Sequence, residues 1–172
     1  TNAILSNGGD LMVEAASDVS LHASSQINLT SGNSIFEVGS NITLQGILAT
    51  TGSIALNAGG SILAGDAGGT TRVTANGLIL LAGGGIGSAL SPITTEVSEI
   101  SSLSESSNTF IDNTGDVQIT NLGFAVTSLF PNAIPNRAFS GYHGGVKALM
   151  SGSIEFTNSG TVQVDPVQAS II

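Results

Sequence analysis

Apolar residues recur two apart along most of this chain. Val19 and Leu21, Ile27 and Leu29, Ile42 and Leu44, and Ile54 and Leu56 each enclose a single residue, polar in all but the last pair. An extended chain points successive side chains to opposite faces, so this period predicts half-buried strands; a helix face would need spacings of three and four. A short pair, mostly small and polar, opens each strand: Gly9-Asp-Leu-Met-Val, Ser17-Asp-Val-Ser-Leu, Ser25-Gln-Ile-Asn-Leu, Asn33-Ser-Ile-Phe-Glu-Val and Ser40-Asn-Ile-Thr-Leu. The phrase returns as Gly52-Ser-Ile-Ala-Leu, Gly60-Ser-Ile-Leu-Ala, Asn76-Gly-Leu-Ile-Leu, Gly84-Gly-Ile-Gly, Gly115-Asp-Val-Gln-Ile, Gly152-Ser-Ile-Glu-Phe and Gly160-Thr-Val-Gln-Val.

Units of about eight residues hold a strand of roughly five and a turn of about three, which leaves no room for crossover helices. An antiparallel meander has no reason to repeat its letters. A solenoid does, because stacked coils set like on like: apolar residues form interior ladders and small polar residues form turn stacks. Asn-Gly, the dipeptide of tight hairpins, occurs only at Asn7-Gly8 and Asn76-Gly77. Each coil orders about twenty residues at about 1–2 kcal/mol apiece and buries few side chains, so it stands only between neighbours. The expectation is one all-β solenoid domain over residues 1–172.

Residues 90–110 depart from the template. Ile93, Val97, Ile100 and Leu103 fall four, three and three apart, which would suit a short helix face. The many Ser and Thr residues favour strand and turn instead. Glu96, Glu99 and Glu105 read as a solvated face rather than a carboxylate site.

Charge and composition then remove several classes of function. Twelve acidic residues against three basic ones, Arg72, Arg137 and Lys147, give a net charge of −9, which argues against nucleic acid or an anionic membrane as partner. Only 9% of residues are charged, so the polar surface is built mainly from Ser, Thr, Asn and Gly. Cysteine is absent, which leaves no disulfide and no thiolate metal site. No apolar run is long enough for a membrane span, and Thr1-Asn2-Ala3 does not open a signal peptide.

The phrases Gly52-Ser-Ile-Ala-Leu-Asn-Ala-Gly-Gly-Ser-Ile, Leu80-Leu-Ala-Gly-Gly-Gly-Ile-Gly-Ser-Ala with Pro92-Ile-Thr-Thr, and Gly115-Asp-Val-Gln-Ile-Thr-Asn carry a family likeness. In this order the chain resembles the repeat regions of filamentous haemagglutinin-like bacterial surface proteins, over about residues 8–122 and 150–165. The resemblance implies a right-handed parallel β-helix. It further implies a secreted or cell-surface fibre, often exported by a two-partner route, that serves adhesion or biofilm formation. Its partners would be neighbouring β-helix coils of the same or identical chains, with a host or cell-surface glycan or protein as ligand. Ile4-Leu5 and Val162-Gln-Val164 look like ordinary repeat sides, so this reading expects either a segment of a longer β-helix or an end-to-end homopolymer.

Residues 123–150 are the least repetitive and concentrate aromatic and basic side chains in a longer irregular insertion. Phe130, Arg137, Phe139, Tyr142, His143 and Lys147 are the candidate binding residues, since aromatic and Arg enrichment marks recognition surfaces. The simpler reading of the same residues is packing, since a long loop on the flank of a solenoid needs apolar anchors such as Phe124 to stay in place.

No catalytic constellation emerges, and no metal or cofactor is expected. His22 and His143 are far apart in sequence, and Asp112 and Asp116 merely flank the turn Asn113-Thr-Gly115. Gly65-Asp66-Ala-Gly68-Gly69 reads as a turn rather than a calcium site. Gly83-Gly84-Gly85 is followed by neither a helix pattern nor a Lys, as a phosphate loop would be. A structural, non-enzymatic fibre segment is therefore the first reading, with a glycan-binding module second and a β-helical polysaccharide-cleaving enzyme third.

Overall fold

The structure, a computed structural model, describes residues 2–6, 8–65, 70–126, 137–140, 145–165 and 170–171. Strands β1 (Asn2–Ser6), β2 (Leu11–Ala15) and β3 (Val19–Leu21) form the sides of the first coil. The second is β4 (Ser25–Leu29), β5 (Ser34–Val38) and β6 (Ile42–Leu44), and the third is β7 (Ile47–Thr50), β8 (Ser53–Ala58) and β9 (Ile62–Ala64). Equivalent sides stack in parallel as β1-β4-β7, β2-β5-β8 and β3-β6-β9. The fold is thus an all-β parallel solenoid, and no helix occurs among the described residues.

In the next two coils the first two sides merge into β10 (Val73–Ala82) and β11 (Ile93–Ser104), which pair along their length. The third side shrinks to the bridging residues Ile86 and Thr109. Residues 93–104 are therefore strand, and the bend between two sides explains their helix-like spacing. Ile93, Thr95 and Val97 are buried two apart; the corner at Ser98 takes an extra residue, and the alternation resumes at Ile100 and Ser102. The same skip separates Ala75 from Leu78 in β10, their partners in register.

Beyond these lie β12 (Thr109–Asn113) and β13 (Val117–Ile119), followed by an antiparallel pair, β14 (Gly123–Val126) and β15 (Arg137–Ser140). The solenoid resumes with β16 (Gly145–Ala148) on β11, and β17 (Ile154–Asn158), β18 (Val162–Val164) and β19 (Ser170–Ile171) stack on β12, β13 and β16.

Like stacks on like in the interior. Val19, Ile42, Ile62, Ile86, Thr109 and Ile154 form one continuous ladder at successive spacings of 23, 20, 24, 23 and 45 residues. Ile54, Leu56, Leu78, Leu80 and Ile100 are fully buried beside it, and each contributes about 1.5–3 kcal/mol. Later coils substitute polar residues, of which Asn113 is hydrogen-bonded inside while Ser101 Oγ, Ser102 Oγ and Asn158 Nδ2 are buried without a partner. Asn113 Oδ1 accepts from Thr95 Oγ1 at 2.8 Å and from the Val97 N–H at 3.1 Å, while Asn113 Nδ2 donates to Asn158 Oδ1 at 2.9 Å.

The recurring polar pair has an equally specific task. Asp18 Oδ1 accepts the Asn41 N–H at 2.8 Å, Asn41 Oδ1 the Ser61 N–H at 2.8 Å, and Ser61 Oγ the Gly85 N–H at 3.1 Å. Further along, Asn108 Oδ1 accepts the Ser153 N–H at 2.7 Å. Each turn side chain caps the backbone of the next coil, which satisfies donors that a bend would otherwise leave unpaired. Where turns stack too closely for any side chain, glycine is required: a Cβ on Gly83 would lie 2.3 Å from the Gly59 carbonyl oxygen, and one on Gly59 would lie 2.5 Å from that of Gly39.

Candidate functional site

The insertion is spliced into the middle of one solenoid side. The Thr120 N–H still donates to the Ile100 carbonyl at 3.1 Å, and the Gly145 N–H donates to the Thr120 carbonyl at 3.4 Å, so the chain leaves and rejoins the sheet at one point. Residues 122–126 fold back over coils that precede them. Leu122, Phe124 and Val126 pack on Met12, Ile35, Ala55, Ile79 and Leu81 to form a second apolar cluster, outside the solenoid wall. Asn33 Nδ2, in a turn of the second coil, donates to the Ala125 carbonyl at 2.9 Å.

The apolar landing strip is written in the sequence. Met12, Ile35, Ala55 and Ile79 are in register on β2, β5, β8 and β10 and point outward, where strict alternation calls for a polar residue. The triplets Leu11-Met-Val, Ile35-Phe flanked by Ser34, Ile54-Ala-Leu and Leu78-Ile-Leu carry this signal, but it has no meaning until the partner is seen.

The candidate binding residues are only partly brought together. In β15, Arg137 stands opposite Val126 and Phe139 opposite Phe124, both in backbone register with the strand that packs on the wall. Lys147 belongs to the solenoid itself, half-buried on β16 opposite Leu103. Phe130, Tyr142 and His143 lie outside the described residues, as do the side chains of Arg137 and Phe139 and the whole of Asp66. The insertion is not wholly irregular, since β14 and β15 form a regular antiparallel pair.

Elsewhere the titratable groups are dispersed. Asp112 and Asp116 line different clefts, and Asp116 Oδ1 is engaged by the Thr161 N–H at 2.7 Å. Glu96 and Glu105 are exposed at opposite ends of the β11 segment. His22 is exposed in the turn after β3, its Nδ1 3.4 Å from Ser24. Arg72 is buried, with Nη1 donating to the Gln45 carbonyl. Asp18 is held below the usual carboxylate value of 3.8 by hydrogen bonds from the Ser40 hydroxyl and then the Asn41 backbone. Among the described residues no group of three or more His, Cys, Asp or Glu side chains converges as a metal site would require.

One cleft does gather mixed chemistry. Ser88, Ala89 and Pro92 face Phe110, Asp112, Glu155 and Thr157 across a space of about 220 Å³. Sequence reading misses it because Phe110 and Glu155, neighbours in register, are separated by 45 residues. No protein-family model, curated protein or solved structure matches this chain.

Proposed function

We propose that this chain is a stiff structural segment of a secreted or cell-surface bacterial fibre, which carries the 121–144 insertion on its flank for adhesion. The observation that carries the reading is the pair of cores: ladders of Ile and Leu fill the solenoid, and a separate outward cluster fixes the insertion at one site on the wall. A filled solenoid resists bending because every side is hydrogen-bonded to the coils around it. Leu122, Phe124 and Val126 anchor the root of the insertion on the wall.

Inward-facing Ile4, Val162 and Val164 at the two outermost described rungs are 53%, 42% and 40% exposed, which suits stacking against further coils of the same or an identical chain. The test is adhesion of beads coated with the full chain, compared with beads carrying a chain whose residues 121–144 are replaced by a short Gly-Ser linker. Attachment to cells or immobilised glycans that is lost with the insertion supports the reading. Equal attachment by both, or none by either, removes adhesion through the insertion from it.

A further inference from the structure

We propose that the cleft between residues 88–92 and the outward faces of β12 and β17 binds a primary ammonium group carried on an aliphatic stem. This site is separate from the insertion and does not rest on the adhesive reading. Strands β12 and β17 run parallel in register, which sets Phe110 beside Glu155 and Asp112 beside Thr157. All four face away from the core, since Thr109 and Ile111 alternate inward between them. With strands about 4.8 Å apart and alternate residues about 6.6 Å apart, an aromatic ring and two carboxylates share one patch less than about 10 Å across.

The wall of the cleft is held in shape. Ser88 and Ser91 exchange backbone hydrogen bonds at 2.9 and 3.0 Å, and the Ser91 N–H also reaches Ser88 Oγ at 3.1 Å. Gly87 adopts φ +62°, and a Cβ there would lie 2.5 Å from the Phe110 carbonyl oxygen, so the loop presses directly on β12. Its inner side offers Ala89 and Pro92, and its tip carries Leu90, 88% exposed.

Each component favours the same ligand. A phenyl ring attracts cations through its quadrupole, and carboxylates form short charge-assisted bonds with N–H donors. The Ser88 and Thr157 hydroxyls can accept further ammonium hydrogens. Ala89 and Pro92 provide apolar surface for methylene groups, which a bare metal ion would not use. Among the described residues no Lys or Arg lines the cleft, and a net charge of −9 draws cations toward it while repelling phosphates and uronates. The ammonium could belong to a lysine side chain or to a free polyamine.

The experiment titrates the full chain with cadaverine and, separately, with Nα-acetyl-lysine methylamide, read by calorimetry at low salt and again at about 0.15 M salt. The expected result is saturable binding that weakens with salt. Asp112→Asn and Glu155→Gln, both outward-facing and conservative, should each reduce affinity about tenfold, with Phe110→Leu also weaker. Asp116→Asn, in a different cleft, should bind as the unmodified chain does, and 1-hexanol should not bind. Stronger binding of the lysine derivative marks a protein side chain as the source; stronger binding of cadaverine marks a free amine. The proposal is overturned by non-saturable binding, by unchanged affinity in Asp112→Asn and Glu155→Gln, or by an equal loss in Asp116→Asn.

Discussion

Leu122 occupies the space that a side chain at residue 77 would need: its Cδ2 lies 2.7 Å from where a Cβ on Gly77 would stand. One contact thus joins a strand of the solenoid wall to the root of the insertion and couples their stabilities. Gly77→Ala is expected to lower stability by about 1–3 kcal/mol through overpacking. Leu122→Ala in the same chain should recover part of that loss, a coupling that a double-mutant cycle of denaturant midpoints measures directly. Additive effects would mean that the insertion does not press on the wall at Gly77.

Deleting the insertion tests the second core as a whole. Because Thr120 and Gly145 are hydrogen-bonded neighbours, a short linker can rejoin them without disturbing β11 or β13. The shortened chain should lose only β14 and β15, keep the solenoid strands, and expose Ile35 and Ile79, both fully buried in the intact protein. Binding of a hydrophobic dye and a rise in self-association would report that exposure.

The interior ladder predicts a gradient of cost along the axis. Ile62→Ala removes a fully buried side chain and should cost about 2–5 kcal/mol. Ile4→Ala, at a rung 53% exposed, should cost far less despite the same inward orientation. Thermal or denaturant unfolding of the two variants gives the comparison; equal losses would contradict the stacked arrangement.

The turn ladder predicts a dependence on both charge and pH. Asn41→Ala leaves the Ser61 N–H without its 2.8 Å acceptor and should cost about 1–2 kcal/mol. Asn41→Asp restores an acceptor but sets a carboxylate directly above Asp18, so it should destabilise at neutral pH and recover as the pH falls. A melting series against pH separates the two variants.

Asp18 itself contributes in the opposite sense. Its folded-state value lies below the unfolded one because the Ser40 hydroxyl and the Asn41 N–H stabilise the ionised form. Its contribution is therefore present above the unfolded value of about 3.8 and fades as pH falls through the lower folded value. Asp18→Asn should remove that part of the acid sensitivity, and the two chains should converge in stability at the acid end of the titration.

How much of this was legible in the letters differs by element. Every repeated phrase from Gly9 to Gly160 falls on a strand or, at Gly84-Gly-Ile-Gly, on a bridge of the third side, because alternation and turn chemistry act within a few residues. The two near-identical phrases at Gly52 and Gly60 prove to be adjacent sides of one coil rather than stacked partners. Ile54 stacks on Ser34 and Leu78, and Ile62 on Ile42 and Ile86. The strands Ile47–Thr50 and Thr109–Asn113 lie outside the phrases read as repeats.

The sequence by itself determined that residues two apart share a face within a strand, where most turns fall, and that the sides must stack, since each of these follows from local geometry and from the inability of one coil to stand alone. Only the tertiary structure decided the register of the coils, which varies between 20 and 24 residues along the third side before the insertion. It alone folded residues 122–126 back onto Ile35 and Ile79, and it alone set Phe110 beside Glu155. Those placements depend on which distant surfaces bury each other best, and a period of two along the chain carries no record of that competition.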